Sequence, residues 1–307
     1  MNPLKNIFTL TFLSLFIMGC ESEKKEVKEL EKVTTKIPTD CPKFILKNKK
    51  NNLNISVLLD LSDRIEKKNT VQKDSAYLSS LAKVFVNHVK GKKLILLEDR
   101  MQLFFNPVPN DTKINQIAEK LKVQFTKDTH KEDLDRTISL YSEYPSQLYD
   151  LAQKDAQLDK KYPGSDIWGF FKYHVNDYCI DACHRNILVI LTDGFMYHEN
   201  TIMKKENRTS YITSKSLKKI KLDRVDWKEE IRKRKLGFLS VEKEFKDLEV
   251  LVIGISDYDK STPYARDILE VYWSDWFESM NIKNYKIKSA DIPSSIEKVI
   301  FDFIKNK

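Results

Sequence analysis

The sequence predicts an α/β fold in which a mainly parallel sheet is flanked by helices on both faces. Short, nearly continuous apolar runs at residues 54–60, 186–192 and 248–255 are typical of strands buried on both faces. Stretches with the apolar spacing of helices alternate with these runs. Alternation of buried strands with helices is the pattern of parallel-sheet proteins.

The remaining elements follow from the same periodicities. The helix predicted at 70–90 carries its apolar residues on one face and stops at Gly91. Residues 93–97 and 101–105 predict a hairpin, and 285–288 predict a shorter strand. Further helices are predicted at 112–121, 130–157, 166–178, 262–281 and 293–305.

Composition excludes several classes of protein. Of the 307 residues, 41% are hydrophobic, which is enough for a packed core and argues against wholesale disorder. The seven glycines form no dinucleotide fingerprint, P-loop or nucleophile elbow, and the five histidines form no H-E-x-x-H motif. Most common enzyme signatures are therefore missing from the sequence.

The first twenty residues predict a lipoprotein signal peptide. Lys5 precedes an apolar run at 7–18, which is too short to span a bilayer, and the run ends in Gly19 and Cys20. This ending resembles a bacterial lipobox, which implies lipidation of Cys20 and a membrane anchor carrying chains such as palmitate. We expect a location in the bacterial cell envelope: the outer membrane, its periplasmic face or the cell surface. Residues 21–50 predict a charged tether, and 51–307 the α/β domain.

Polar side chains follow two of the predicted buried strands. Asp60 and Ser62 come after the first strand, and Asp193 follows the second within Thr192-Asp-Gly194. Ser165 lies between them, in a turn that opens a helix. Because open parallel sheets bind ligands beyond the carboxyl ends of their strands, we expect these residues to share one site.

These loops resemble the metal-ion-dependent adhesion site of the von Willebrand factor A (vWA) domain, a Rossmann-like fold. That family carries D-x-S-x-S after its first strand, a Thr in a middle loop, and an Asp after its fourth strand. The resemblance implies Mg²⁺ or Mn²⁺ as a cofactor, with a partner's carboxylate completing its shell. The implied ligands, with two alternates, are Asp60, Ser62, Ser165 and Asp193, and Thr129 and Asp63 as the alternates.

Arg64 departs from the family pattern, because it replaces the second Ser and a guanidinium repels a cation. Two arrangements stay open. Arg64 turns away from the site, or it pairs with Asp60, Asp63 or Asp193 and takes the place of the metal. We expect Arg64 and Trp168 at the rim of the binding face.

Three cysteines follow Cys20 in a chain predicted to be exported, where disulfides persist. Cys179 and Cys183 lie one helical turn apart, before a strand, and Cys41 lies at the entry of the domain. We therefore expect a disulfide from Cys41 to either Cys179 or Cys183. Spacing alone does not determine which of the two is the partner.

Residues 203–235 form a basic insertion with 13 Lys and Arg against five Asp and Glu. Such a run is usually a solvated helix face, and its functional alternative is an anionic partner. We expect a protein or an anionic envelope polymer as the partner. Nucleic acid is not expected, because no recognition motif is present.

Two functions fit these observations. The first is a lipid-anchored, non-enzymatic binding or adhesion module that uses the carboxyl end of the sheet. The alternative is a metal-assisted phosphate-ester hydrolase with Asp60 as nucleophile, similar to haloacid-dehalogenase-like enzymes. That family requires D-x-D, whose second Asp is a general acid, and Ser62 occupies that position here.

Overall fold

A computed structural model describes residues 51–93, 96–159, 161–162, 164–256 and 263–305. The chain divides into two units, 1–36 and 37–307, and all described residues belong to the second. The predictions for the signal peptide, Cys20, the tether and Cys41 lie outside the described residues.

A mixed sheet of six strands, most of them parallel, forms the centre of the fold. Its strands stand in the order β3-β2-β1-β4-β8-β9, and only the short edge strand β3 runs antiparallel, against β2. The nine strands of the described residues are β1 (Leu53–Leu59), β2 (Arg100–Phe104), β3 (Val123–Gln124), β4 (Arg185–Leu191), β5 (Lys204–Lys205), β6 (Arg208–Thr209), β7 (Gly237–Phe238), β8 (Leu248–Ile255) and β9 (Asn284–Ser289).

Helices cover both faces of this sheet. Within the described residues they are α1 (Thr70–Lys90), α2 (Thr112–Lys120), α3 (Lys131–Asp159), α4 (Ile167–Tyr173), α5 (Val175–Tyr178), α6 (Ser214–Ile220), α7 (Trp227–Arg234), α8 (Ala265–Ser279) and α9 (Pro293–Lys305). The first three and α9 pack on one face, and α4 to α8 pack on the other. None of the helices described here is both long enough and apolar enough to cross a membrane.

The central strands are apolar on both sides because each side faces a separate core. In β1, Ile55 and Val57 pack against α1 and α9, whereas Leu58 packs in the opposite core. That second core contains a cluster of ring contacts centred on Trp273 and Trp276 of α8. Both indoles are fully buried, so this aromatic cluster serves core packing.

The predicted α/β class and a mostly parallel sheet are confirmed, whereas the hairpin is wrong. Strand β2 lies beside β1 and parallel to it, and its second neighbour is β3 rather than the residues that precede it. Residues 96–99 carry no strand. The run predicted at 101–105 is a strand, β2, as expected. Its sequence pattern, however, does not determine which strand it pairs with or in which direction.

The chain enters the sheet at its amino edge, where a buried carboxylate holds it. The Leu53 N–H donates to Asp99 Oδ1 at 2.8 Å, and the Lys92 ammonium contacts Asp99 Oδ2 at 2.5 Å. Burial raises the pKa of Asp99, and hydrogen bonds from His88, Leu53 and Lys92 more than offset this, so its pKa is lowered. A charged pair of this kind fixes the start of β1.

The cysteines behave differently from one another. Cys183 is disulfide-bonded, whereas Cys179 is a free, buried thiol. Burial raises the pKa of Cys179 to about 12, so this thiol stays protonated and unreactive at neutral pH. Cys179 is therefore not the bridge partner, and a bridge between Cys183 and Cys41 stays a prediction because Cys41 lies outside the described residues.

Residues 203–235, with the strand that follows them, form a small sheet and two helices that pack on one face of the main sheet. The strands β5, β6 and β7 make a small three-stranded sheet, and α6 and α7 follow β6 in the chain. A backbone bridge between Met196 and Ile212 connects this layer to the loop after β4. The basic insertion therefore begins beside the carboxyl edge of the main sheet.

Candidate functional site

A cleft of about 420 Å³ opens at the carboxyl edge of the sheet. Three of the four predicted ligands line it, together with the alternate Asp63. Its lining residues are Ser62, Asp63, Tyr162, Gly164, Ser165, Asp193, Phe195, Met196, Tyr197, Ile212, Thr213, Ser214 and Lys215. Ser62, Ser165 and Asp193, which the sequence predicts to share one site, thus line one cleft, and their role as ligands stays a prediction.

Asp60 lies beneath this cleft, at the end of β1, and is 1% exposed. Its Oδ1 accepts the Ser62 N–H at 2.9 Å, and its Oδ2 accepts the Thr192 hydroxyl at 2.7 Å. Burial raises the pKa of Asp60 to about 6; the Arg64 charge lowers it, and Asp193 raises it further. Asp60 therefore organises the loops after β1 and β4 from below.

Asp193 provides one of the two carboxylates that line the cleft, and Asp63 provides the other. Its Oδ1 accepts the Phe195 N–H at 3.1 Å, and its Oδ2 accepts the Lys67 ammonium at 2.7 Å. The Lys67 side chain is 30% exposed and that of Asp193 is 8% exposed. A cation, the Lys67 ammonium, thus already contacts the carboxylate to which the vWA resemblance assigns a metal.

The turn that presents Asp193 requires a glycine. Gly194 has a φ of +96°, and a Cβ there would lie 2.6 Å from Ile255 Cδ1. Its N–H donates to the Thr192 hydroxyl at 3.1 Å, so one Thr connects this turn to Asp60. The Thr-Asp-Gly sequence is thereby explained residue by residue.

Ser165 is the polar side chain at this site whose hydrogen bonding is incomplete. It is 3% exposed, yet its Oγ has no hydrogen-bond partner among the residues that the structure describes. Backbone bridges hold its loop on both sides, from Gly164 to Leu61 and from Ser165 to Tyr197. Since buried hydroxyls normally bond, this oxygen is available for a ligand in the cleft.

Arg64 turns away from the cleft and is not part of a binding rim. It is 2% exposed, and its Nη1 lies 2.8 Å from Asp74 Oδ2 and 3.2 Å from the Asp60 carbonyl oxygen. Asp74 also accepts the Tyr149 hydroxyl at 2.5 Å. Of the two arrangements left open by the sequence, the structure has the one in which Arg64 turns away from the site. Its expected place at the rim is wrong, because Asp74 holds it in the interior.

Trp168 is likewise not at the rim. It is 1% exposed, and its indole N–H donates to the Leu239 carbonyl oxygen at 2.7 Å. The helix α4 turns this side chain into the core while its neighbour Ser165 lines the cleft. The aromatic rim consists instead of Tyr162, Phe195 and Tyr197.

Thr129 lies at the opposite edge of the sheet. It follows β3, whose residue Gln124 pairs with Arg100 at the start of β2. The Thr129 hydroxyl accepts the N–H of Thr126 at 2.8 Å, inside its own turn. As an alternate ligand Thr129 is therefore wrong, because β3 runs antiparallel and carries it to the amino edge.

Two residues of the site had no clear sequence signal. Lys67 is one of several lysines in its segment, and Thr192 was noted only as part of Thr-Asp-Gly. Among the described residues, no group of three or more His, Cys, Asp or Glu side chains is placed to hold a metal. Several oxygen donors of this site are instead the hydroxyls of Ser and Thr, which are not among those four residue types.

Comparison with known proteins adds little. No protein-family model matches the chain, and no curated protein matches it. One similar solved structure is proximal thread matrix protein 1 from the mussel byssus, with 11% identity and a TM-score of 0.35. The match covers 82% of this chain and 48% of that one, so this chain spans about half of its length. A likeness at this TM-score carries no argument about fold or function.

Proposed function

We propose that the protein is a lipid-anchored, non-enzymatic binding module of the bacterial cell envelope with a vWA-like fold. The observation that carries this proposal is the cleft, which brings Ser62, Ser165 and Asp193 together at the carboxyl edge of the sheet. When the strands of the main sheet are numbered one to six along the chain, their spatial order is 3-2-1-4-5-6, as in doubly wound folds. In such folds ligands bind where the strand order reverses, here between β1 and β4.

A divalent cation belongs to this proposal, and the donors fit it. Ser62, Ser165 and Asp193 offer hard oxygen atoms, which Mg²⁺ and Mn²⁺ prefer. The unpartnered Oγ of Ser165 is the observation that supports a ligand at this point. Bound there, the ion would supply a positive centre for an anionic group of a partner, while Asp60 positions the Ser62 and Thr192 segments.

The placement of Asp60 favours binding over phosphate-ester hydrolysis. A nucleophilic carboxylate needs an oxygen that can reach the substrate. Both oxygens of Asp60 accept hydrogen bonds from the protein, and the residue is buried beneath the cleft. Ser62, at the position of the general acid, carries no acidic proton at neutral pH.

The basic layer beside the cleft supports an anionic partner, either a protein or an envelope polymer. Lys215 lines the cleft itself, and Lys219 and Lys221 are exposed close to it in the chain. Clustered positive charge raises the local concentration of an anionic ligand and its rate of association. Nucleic acid is not part of the proposal.

Replacing Asp193 by alanine is expected to abolish partner binding while the fold persists. The Asp193 carboxylate lines the cleft beside Ser62 and Ser165, whereas the Gly194 turn also rests on Thr192. Binding of the purified protein to isolated cell envelopes, with and without Mn²⁺, measures the effect. Asp128→Ala, an exposed carboxylate in the turn after β3, is the control. Equal envelope binding by Asp193→Ala and the wild type would contradict a role for the cleft.

Replacing Cys20 by serine is expected to leave an unlipidated precursor, because lipid attachment requires the Cys thiol. Metabolic labelling with a palmitate analogue, followed by mass measurement of the amino-terminal peptide, tests this. Cys183→Ser is the matched control, since it removes a cysteine outside the lipobox. An unlabelled wild-type protein would refute the lipid anchor and leave the cleft proposal standing.

A further inference from the structure

We infer that Lys67 is a built-in competitor for the cation at Asp193, and that it sets the affinity of this site for divalent ions. The inference rests on the proposed cation site and adds to it a residue outside the vWA motif. Lys67 lies in the segment between β1 and α1, three residues after Arg64.

The four carboxylate oxygens of Asp60 and Asp193 differ in how firmly they are held. Two oxygens of Asp60 accept from the Ser62 N–H and from the buried Thr192 hydroxyl. Asp193 Oδ1 accepts from the Phe195 N–H. These three donors are backbone groups or a buried hydroxyl, fixed by the loops themselves. Asp193 Oδ2 differs, because it accepts from the Lys67 ammonium, at the end of a long side chain that reaches solvent.

A divalent ion at Asp193 must therefore exchange with the Lys67 ammonium. Two cations at one carboxylate oxygen repel each other, so the ion and the ammonium cannot share that oxygen. The four-carbon stem of Lys67 allows the ammonium to swing into water, where its charge is well solvated. Ion binding is weakened by the cost of this displacement, and the site binds divalent ions only when their concentration is high enough to compete.

The Arg64 side chain, which is also close to the site, does not take part in this exchange. The Arg64 guanidinium is buried against Asp74, and the Asp74 charge raises the pKa of Arg64 despite the desolvation that would lower it. Arg64 therefore stays charged and in place whether or not an ion enters the cleft. Lys67, in contrast to Arg64, both contacts Asp193 and is accessible to solvent.

Titration of the mature protein with Mn²⁺ tests the inference, with free Mn²⁺ followed by electron paramagnetic resonance. Lys67→Met keeps most of the stem and removes the charge, and Lys67→Gln is the second variant should the first fail to fold. We expect the dissociation constant to fall at least tenfold in either variant. Lys68→Met, the exposed neighbour, is the control and should bind as the wild type does.

The outcomes separate the inference from the proposed function. Tighter Mn²⁺ binding by the Lys67 variants, lost again when Asp193→Asn is added, supports both. Equal or weaker binding by folded Lys67 variants, with measurable binding by the wild type, overturns the inference and leaves the cation site in place. Absence of Mn²⁺ binding by every folded variant overturns the cation site and the inference together.

Discussion

Replacing Arg64 by methionine is expected to lower the free energy of unfolding by about 3–5 kcal/mol, the largest effect of any single change considered at this site. The guanidinium and Asp74 are 3% and 2% exposed and lie 2.8 Å apart. Removing the guanidinium leaves the Asp74 carboxylate buried with the Tyr149 hydroxyl as its remaining side-chain partner among the contacts described. Urea unfolding followed by circular dichroism measures the change.

A double variant shows whether the loss comes from the stranded charge. Arg64→Met with Asp74→Asn removes both charges and keeps an acceptor for Tyr149, so it should lose less stability than Arg64→Met alone. Lys90→Met is the matched control, because Lys90, in α1 with Asp74, pairs with Asp135 of α3 at the surface, and such pairs contribute about 0–1 kcal/mol. If Arg64→Met behaved like Lys90→Met, the buried pair would not be a source of stability.

Replacing Asp60 by asparagine is expected to change how stability depends on pH in the metal-free protein. The pKa of Asp60 is raised from 3.8 to about 6, so the folded protein holds this proton more tightly than the unfolded chain does. Between these two pH values the folded state binds more protons, and stability from this group falls as pH rises. This rise in the pKa of Asp60 corresponds to about 3 kcal/mol of folding stability. That stability is fully lost above pH 6.

The difference between wild type and Asp60→Asn isolates this contribution from other carboxylates. Thermal unfolding in a chelator across this pH range measures the effect. As pH rises, the free energy of unfolding of Asp60→Asn should increase by about 3 kcal/mol relative to that of the wild type. Asp63→Asn, an exposed neighbour in the same loop, controls for the loss of a negative charge. A pH-independent difference between wild type and Asp60→Asn would contradict the raised pKa.

The strands and helices that shape the site were predictable from the sequence, because their patterns are local. The fully buried strands β1 and β4 are rich in aliphatic residues, and the polar residues that follow them must meet at one edge of a parallel sheet. Ser62, Ser165 and Asp193 were found in this way. The hairpin failed because pairing direction depends on distant strands, and the alternate Thr129 failed because β3 is antiparallel.

Side-chain direction was the part that the sequence did not supply. Arg64 and Trp168 were expected near the surface because they flank surface loops, yet Asp74 and the Leu239 carbonyl oxygen hold them inside. Lys67 was missed for the converse reason. Its contact with Asp193 spans 126 positions in the chain, and nothing in the local pattern distinguishes it from neighbouring lysines.

The direction in which the chain enters β1 has a mechanical consequence. The strand starts at the amino edge, where Asp99 holds Leu53, and ends at Asp60 beneath the cleft. A pull between the segment before Asn51 and a ligand in the cleft would run along β1, which is laddered to β2 on one side and β4 on the other. Such a load acts on both ladders in shear, and a strand paired on both sides cannot peel away one bond at a time. The two ladders of β1 would therefore resist a load applied between Asn51 and the cleft.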